Sequence, residues 1–203
     1  MTKHNCVYVG NSGNISPPDN CGVPQNTYLA YGSSITHGSL ALGAPYTYPS
    51  RIAAKLKYDY INLGFPGSTF LDEAIAEYIL HRHDWNIATV EMGINMLNKN
   101  FTLEEFEKRT DRFTAILSKD SRPVFATDLF GLIGDPAVQE KASPMCKIVK
   151  KYASERLIYT PALELLNTPE FISQDFVHPS IDGIHCISKN WGNVIEQYMN
   201  SNK

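Results

Sequence analysis

The sequence predicts an α/β protein, a three-layer α/β/α sandwich with a central five-stranded parallel sheet. Two observations predict it: short apolar runs alternate with longer segments of helical period, and each run has the length of a strand that is buried on both faces. The middle of the 203-residue chain contains no stretch that resembles an interdomain linker. The chain is therefore predicted to consist of an N-terminal arm, residues 1–26, and one compact domain, residues 27–203.

The five predicted strands are short runs rich in aliphatic and aromatic residues. They cover residues 28–31, 58–63, 87–91, 124–127 and 157–159. Five such strands are enough for a doubly wound sheet of the flavodoxin-like kind.

Two segments have the clearest helical pattern. Residues 101–117 begin with a capping box, Thr102 with Glu105. Their apolar stripe consists of Leu103, Phe106, Phe113 and Leu117. The segment from about residue 184 onward predicts a closing amphipathic helix. Its apolar stripe consists of Ile184, Ile187, Trp191, Val194, Ile195 and Tyr198.

Composition and charge argue against several classes of protein. The hydrophobic share of 43% and the charged share of 19% are ordinary for a soluble globular protein. The sequence contains no run of about eighteen apolar residues that could span a bilayer. The formal charge is −3 and the Lys and Arg residues are scattered, so no nucleic-acid partner is expected. The N-terminus lacks the apolar core of a secretory signal peptide, which favours a cytoplasmic location.

The cysteines and histidines predict no metal site. Cys6, Cys21, Cys146 and Cys186 are too irregularly spaced for a disulfide scaffold or a CxxC site, so we expect reduced thiols, with Cys6 to Cys21 the one pairing to test. The run His-Arg-His-Asp at 81–84 follows an apolar helical segment and has no well-spaced third ligand. We interpret this run as a polar helix end.

Reactive residues are expected where predicted strands end, because ligands of an open α/β sheet collect at the carboxyl ends of its strands. The first strand leads into YGSSITHG, whose glycines allow a tight turn and whose Ser34 lies where a helix should begin. Ser34 is therefore a candidate nucleophile. A serine in such a turn more often serves only the turn, so Ser34 needs partners elsewhere in the chain.

Two further strand ends offer groups that could stabilise a developing oxyanion. Gly67, in NLGFPGST after the second strand, could present a backbone N–H to a reacting oxygen, although a plain turn glycine explains it equally well. Asn95, in EMGINM after the third strand, could donate its side-chain N–H or only cap the turn.

The candidate base is His178, which lies three residues after Asp175 in DFVHP. Such a loop lets the carboxylate orient the Nδ1–H while Nε2 faces the serine. A second pair, Asp182 with His185, falls at the start of the closing helix, where Asp is a common N-cap, and we favour the first pair. His37 is too close to Ser34 along the chain to reach back as a base.

Taken in order, these residues resemble the SGNH hydrolases, or GDSL-like lipases and acylhydrolases. That family has a GDS-type serine turn, a loop glycine, a GxN asparagine and a DxxHP pair. All four blocks occur here in order, in YGSSITHG, NLGFPGST, GINM and DFVHPSIDG. They cover about residues 28–198, and the ordered set is specific although each block alone is common. Residues 27–203 are thus expected to be an SGNH hydrolase domain.

The resemblance implies a serine esterase. Ser34 would be the nucleophile of a catalytic triad completed by Asp175 and His178. The backbone N–H groups of Ser34 and Gly67 and the amide of Asn95 would form the oxyanion hole. No metal or other cofactor is implied, and the expected substrate is a small-molecule or carbohydrate ester with a short acyl group such as acetyl.

Two positions depart from the family pattern. Ser33 stands where many members have Asp, and Met96 follows the asparagine where Asp is frequent. Neither position makes or breaks a bond, so activity is still expected. Gly183 fits the HPxxxG continuation of the family, which supports His178 as the base.

Three alternative functions stay open. An acyltransferase would use the same triad with an alcohol in place of water. A binding module could retain the fold without activity. A flavodoxin-like nucleotide or flavin binder is compatible with the fold class, but the chain contains neither GxGxxG nor GxxxxGK[ST].

Overall fold

A computed structural model of the chain describes Gly10 and residues 12–13, 22–130 and 136–202. Its five strands form one sheet in which every neighbouring pair is parallel, in the order β2-β1-β3-β4-β5. The strands are β1 (Thr27–Gly32), β2 (Asp59–Gly64), β3 (Ile87–Glu91), β4 (Val124–Thr127) and β5 (Ile158–Tyr159). This order is the flavodoxin-like one, so the predicted fold class is confirmed.

Helices connect the strands and close the domain. Within the described ranges they are α1 (Ser34–His37), α2 (Tyr48–Leu56), α3 (Glu73–His81), α4 (Ile94–Asn98), α5 (Leu103–Leu117), α6 (Pro136–Arg156), α7 (Ala162–Leu165) and α8 (Ile181–Ser201). Two short 3₁₀ turns cover Ala44–Tyr46 and Pro169–Phe171.

The sheet separates two apolar clusters, and alternate residues of β1 enter each of them. Leu29 and Tyr31 pack with α3, α5 and α6, whereas Tyr28 and Ala30 pack with α2, α7 and α8. Side chains of a strand point alternately to the two faces of a sheet, so burial of both sets confirms that β1 is covered on both sides. The result is the predicted three-layer sandwich.

Strand boundaries differ from the prediction by at most one residue. The second strand begins at Asp59 rather than at residue 58 because Lys57 adopts a left-handed conformation (φ 58°) that ends α2. The N–H of Tyr58 then donates to the carbonyl of Ala53, so Tyr58 still belongs to the end of the helix.

Both predicted helices exist, with corrected starts. α5 begins at Leu103, whose side chain is exposed rather than part of the core. Thr102 caps it by accepting from the N–H of Glu105, but the Glu105 carboxylate binds Arg109 at 2.6 Å, so the two are not shown as a reciprocal box. An ion pair with Arg109 is available because the two residues lie one helical turn apart.

α8 begins three residues earlier than predicted, at Ile181. Ser180 is its N-cap, accepting from the N–H of Gly183, so the expectation that Asp182 would cap this helix is wrong. Pro179 forms an isolated antiparallel bridge with Ile172, and the N-cap of the helix is the next residue.

The predicted polar helix end at 81–84 is present. α3 ends at His81, and Arg82 forms an ion pair with Asp84. Over the described ranges, no three side chains of the His, Cys, Asp and Glu types converge as a metal site would require. No helix in the described part of the chain is long and apolar enough to cross a membrane.

Two of the four cysteines can be placed. Cys146 and Cys186 are free thiols. Cys6 and Cys21 lie outside the described residues, as does most of the predicted arm, so their pairing and the 1–26 boundary stay predictions.

Candidate active site

The candidate site lies at the carboxyl ends of β1 and β3, where the direction of winding changes. The first long helix after β1 is α2, which packs on one face of the sheet. The long helix after β3 is α5, which packs on the other face. The two connections therefore diverge at the strand ends, which is where open α/β sheets bind ligands. Ser34 follows β1 and Asn95 follows β3.

A tight turn places Ser34 at the first position of α1. Ser33 caps this four-residue helix, its Oγ accepting from the N–H of Ile35 at 3.1 Å. Gly38 ends the helix with φ 101°, a conformation that favours glycine. A Cβ at Gly32 would overlap the side chains of Thr36 and Glu91, so the turn also requires glycine where β1 ends.

Ser34, His178 and Asp175 form a continuous chain of hydrogen bonds. The Oγ of Ser34 lies 2.8 Å from Nε2 of His178, and Nδ1 of the same ring lies 2.6 Å from Oδ2 of Asp175. Because an ionised carboxylate only accepts, Nδ1 must carry the proton of the neutral ring. Nε2 is then the acceptor for the Ser34 hydroxyl, which is the tautomer that a general base requires.

The second oxygen of Asp175 holds the loop that carries His178. Oδ1 accepts from the hydroxyl of Ser173 at 2.6 Å, from the N–H of Val177 at 3.0 Å and from the N–H of His178 at 2.9 Å. Partial burial opposes ionisation, but these hydrogen bonds and that of the imidazole outweigh it and hold the pKa of Asp175 well below its ordinary value. Asp175 is thus a carboxylate throughout the neutral range.

Backbone pairing closes the same loop at its base. The N–H of Ser173 donates to the carbonyl of His178 at 2.8 Å, and Ile172 forms an antiparallel bridge with Pro179. Between Asp175 and His178, Phe176 adopts a left-handed conformation (φ 58°), and 83% of its surface is exposed. The turn therefore fixes Asp175 and His178 relative to each other and leaves an aromatic ring in solvent beside them.

Gly67 and Asn95 belong to one hydrogen-bonded unit. Gly67 is exposed and left-handed (φ 71°) in the turn after β2. Two residues later, Thr69 donates its N–H to Oδ1 of the buried Asn95 at 3.1 Å and its hydroxyl to the carbonyl of Gly32 at 2.7 Å. The loop after β2, the start of α4 and the end of β1 are thereby tied together. The oxyanion role of Ser34, Gly67 and Asn95 stays a prediction.

The competing histidines lie elsewhere. His185 is exposed on α8, and its Nδ1 lies 3.2 Å from a guanidinium nitrogen of Arg51. Asp182 is exposed in the first turn of the same helix. His37 is the last, exposed residue of α1. The histidine in hydrogen-bond contact with Ser34 is His178.

Sequence reasoning missed Glu91, a carboxylate directly behind the serine turn. Its side chain is 1% exposed and accepts from the N–H of Ser33 at 3.0 Å, from the Ser33 hydroxyl at 2.6 Å and from the Thr36 hydroxyl at 2.7 Å. Burial raises the pKa of Glu91 above its ordinary value, although these hydrogen bonds favour the ionised form. The available signal was a charged residue at the end of an otherwise apolar strand that was predicted to be buried on both faces.

A charged cleft between α3 and α5 is separate from this site. Its lining includes Asp72, Glu105 and Arg109 but not Ser34, Asp175 or His178. Arg109 lies 2.8 Å from Asp72 and 2.6 Å from Glu105, so its charge is already compensated by neighbouring carboxylates.

Comparison with known protein families gives one match. The model of the GDSL-like Lipase/Acylhydrolase family matches residues 30–184, more than half of the chain, and includes Ser34 and His178. A search of curated proteins finds no match.

Solved structures share the fold at low sequence identity. A protein from Bacteroides ovatus described as a GDSL-like lipase superimposes with a TM-score of 0.74 and 19% identity over 87% of this chain and 54% of its own. The salicylyl-acyltransferase SsfX3 of a tetracycline biosynthetic pathway gives 0.65 and 16% over 82% and 53%. The chain thus spans about half the length of both proteins. The psychrotrophic esterase EstA of Pseudoalteromonas sp., solved with inhibition by monoethylphosphonate, gives 0.71 and 12% over 87% and 100%.

Proposed function

This chain belongs to the GDSL-like lipase/acylhydrolase family, and on that premise we propose that it is a serine esterase that hydrolyses short-chain carboxylic esters through an acyl-enzyme on Ser34. The observation that carries the proposal is the hydrogen-bonded series Ser34, His178 and Asp175, with distances of 2.8 and 2.6 Å. A nucleophile, a base and a group that orients the base are the parts that acyl transfer to a serine requires.

Acylation begins at the Ser34 hydroxyl. Nε2 of His178 accepts the hydroxyl proton while Oγ adds to the ester carbonyl, and the carbonyl oxygen becomes negative. Asp175 stabilises the imidazolium that forms without taking the proton itself. The imidazolium then protonates the leaving alcohol as the carbon–oxygen bond breaks, which leaves an acyl-enzyme and a neutral His178.

The negative oxygen of the intermediate is stabilised by hydrogen-bond donors at the carboxyl ends of the strands. We assign this role to the backbone N–H groups of Ser34 and Gly67 and to the side-chain amide of Asn95. Asn95 supports this assignment because its oxygen already accepts from Thr69, which leaves its N–H groups as donors. Removing one oxyanion donor costs about 10²- to 10³-fold in kcat in other hydrolases.

Deacylation repeats the sequence with water. His178 takes a proton from water as the oxygen adds to the acyl carbon, and it returns the proton to Ser34 Oγ as the acid leaves. Every proton in both half-reactions passes through Nε2 of His178, so the chain's own residues suffice for the cycle.

A short acyl group is favoured by the openness of the site. The side chains of His178 and Asp175 are 22% and 44% exposed. Selection for a long acyl chain needs apolar walls, since each buried CH₂ contributes about 0.8 kcal/mol. A triad open to solvent suits a small acyl group on a larger alcohol, such as an acetyl ester of a carbohydrate.

An acyltransferase is the second candidate, and the fold similarity to the salicylyl-acyltransferase SsfX3 favours it. Transfer differs from hydrolysis only in that an alcohol, instead of water, attacks the acyl-enzyme. Product analysis with p-nitrophenyl acetate and added sugars or alcohols separates the two, because transfer yields an acetylated acceptor in place of free acetate.

The proposal is tested with purified wild type, Ser34→Ala and the control Ser118→Ala. Ser118 ends α5 and bonds to the carbonyl of Ala115, which makes it a serine outside the site. With p-nitrophenyl acetate, butyrate and octanoate, we expect activity that falls with chain length, is lost in Ser34→Ala and is retained in Ser118→Ala. A fluorophosphonate probe should label wild type and the control only. Equal rates in all three proteins would exclude Ser34 as the nucleophile.

A further inference from the structure

Glu91 is a buried carboxylate whose hydrogen-bond donors, among the described residues, come from only two residues. Ser33 donates its N–H and its hydroxyl, and Thr36 donates its hydroxyl. Both donors are neutral. Burial of an ionisable group without a cation is costly, because the group loses its hydration and gains only dipoles in return. The free-energy cost of burying Glu91 must therefore be offset by a structural or functional role.

The two donors flank the nucleophile. Ser33 precedes Ser34, and Thr36 follows it by two residues, so Glu91 holds the turn on both sides of Ser34. The directions of the bonds are consistent: Ser33 Oγ accepts from the N–H of Ile35 and gives its own proton to Glu91. The Thr36 hydroxyl also gives its proton to Glu91 and can accept from the Tyr48 hydroxyl, which lies 2.7 Å away.

The helix that begins with Ser34 cannot maintain this geometry alone. α1 has four residues, a single turn, and fixing one turn costs more conformational entropy than one or two hydrogen bonds recover. The bonds from Ser33 and Thr36 to Glu91 supply the missing restraint from a neighbouring strand, β3. Because β3 lies between β1 and β4 in the sheet, and Glu91 itself is in register with Thr127 of β4, the carboxylate is anchored to the sheet.

Three hydrogen bonds restrain Ser33, whose carbonyl is part of the peptide group that joins it to Ser34. Glu91 binds the N–H and the side chain of Ser33, and the carbonyl oxygen of Ser33 accepts from the N–H of His37 at 2.9 Å. The Ser34 N–H lies in the same plane as that carbonyl, since a peptide group is planar. Holding Ser33 at both ends therefore sets the direction in which the Ser34 N–H points.

We propose that Glu91 is a positioning residue of this enzyme, which acts through Ser33 and Thr36 to aim the Ser34 N–H at the oxyanion of the transition state. The inference rests on the proposed function, because it presupposes that Ser34 forms an acyl-enzyme. Glu91 touches neither the substrate nor the triad in this mechanism. Its effect should consequently be larger on the transition state than on substrate binding.

The test compares Glu91→Gln with wild type. Glutamine preserves the shape, but its NH₂ group cannot accept from Ser33 or Thr36, so the turn loses part of its restraint. We expect kcat per fluorophosphonate-labelled site to fall about 10- to 100-fold, less than for outright loss of an oxyanion donor. KM should stay within about threefold. The inhibition constant of a short trifluoromethyl ketone, which adds to Ser34 as an oxyanionic hemiketal, should rise by the same factor as kcat/KM falls.

Thr110→Val is the matched control. It removes a buried hydroxyl that donates to the carbonyl of Phe106 within α5, away from the turn that carries Ser34. If a general loss of core hydrogen bonding were responsible, this variant would show the same weakening of ketone binding. We expect both its kcat per labelled site and its ketone affinity to match wild type.

Should Glu91→Gln fail to fold, Thr36→Val and Thr36→Ser replace it. Valine removes the hydroxyl that donates to Glu91 and serine retains it, so only Thr36→Val should lose kcat and ketone affinity together. If wild type is labelled but Glu91→Gln or Thr36→Val binds the ketone as tightly as wild type does, this inference is wrong and the proposed function still stands. Absence of labelling in wild type overturns the proposed function and this inference with it.

Discussion

The backbone N–H of Thr69 donates to Oδ1 of Asn95 across 3.1 Å, and this bond decides which way the Asn95 amide faces. A backbone N–H only donates, so the amide oxygen must lie toward Thr69 and the NH₂ group on the other side. The bond joins the loop that carries Gly67 to α4, the helix after β3.

Asn95→Asp should remove the donor and keep the fold. The aspartate can still accept from Thr69, but it has no N–H for an oxyanion and adds a negative charge where negative charge develops. We expect kcat to fall about 10²- to 10³-fold, as for loss of an oxyanion donor. Asn86→Asp is the control, because Oδ1 of Asn86 likewise accepts a backbone N–H, that of Thr27 at 2.8 Å. A full rate in Asn95→Asp, measured with p-nitrophenyl acetate, would exclude the amide as an oxyanion donor.

Asp175→Asn should inactivate the enzyme, whereas Asp182→Asn should not. An amide at 175 can donate to Nδ1 of His178, which places the ring proton on Nε2, where it can no longer accept from Ser34. The corresponding change in a serine protease lowers kcat about 10⁴-fold, and we expect a loss of that order. The same DxxH spacing makes Asp182→Asn and His185→Ala matched controls for Asp175→Asn and His178→Ala. Steady-state rates that respond equally to both pairs would contradict the assignment.

Glu91 should make stability depend on pH. Burial raises its pKa above the ordinary 4.5, so the folded chain retains this proton to higher pH than the unfolded chain does. Its stabilising contribution is complete below the unfolded pKa and is lost as pH rises through the folded pKa. The free energy of unfolding of wild type relative to Glu91→Gln should therefore decrease as pH rises from about 4 toward neutrality.

Neighbouring groups should not obscure this dependence. Tyr31 and Tyr48 interact electrostatically with Glu91, and burial raises the pKa of both, so they stay neutral in that range. Asp175 has a lowered pKa and occurs in both proteins, so its titration cancels in the comparison. Urea unfolding at several pH values measures the difference. A difference that does not change with pH would contradict the raised pKa of Glu91.

Gly183→Ala should destabilise the domain, and Gly192→Ala on the same helix should not. A Cβ at Gly183 would lie 2.3 Å from the backbone carbonyl oxygen of Phe171, which cannot move without shifting the loop that carries His178. We expect a loss of about 1–3 kcal/mol in the free energy of unfolding. A Cβ at Gly192 would lie 3.0 Å from Cδ of the flexible Lys55 side chain, and alanine favours helix by about 1 kcal/mol over glycine. Similar denaturant midpoints for the two variants would contradict this contrast.

Periodicity predicted the fold because it reflects burial along a single element. The strands were predicted to within one residue, and the inner strands β1, β3 and β4 are buried almost throughout, as their mainly apolar sequences indicate. The sequence also indicated Ser34, Asp175 and His178, which the structure brings into hydrogen-bond contact. Ser34 follows a strand, and Asp175 and His178 lie in a loop that ends in proline. At such places a short sequence motif is enough to identify a reactive residue.

Contacts between distant segments could not be predicted in this way. The position of Glu91 at the end of an apolar strand indicates burial, but its hydrogen bonds to Ser33 and Thr36 join segments more than 50 residues apart, which no local pattern reports. The start of α8 was misplaced for a related reason. Its boundary is set by the bridge of Pro179 to Ile172, a pairing that helical periodicity does not report.

The two ends of the triad lie far apart along the chain. Ser34 and His178 are separated by 144 positions, the first following the opening strand of the sheet and the second preceding the closing helix. Contacts of such long sequence separation are among the slowest to form when a chain folds. A folding intermediate in which only Ser34 or only His178 has reached its native position does not contain the complete triad. Recovery of the proposed esterase activity during refolding should therefore report the docking of the last helix onto the first strand and its neighbours.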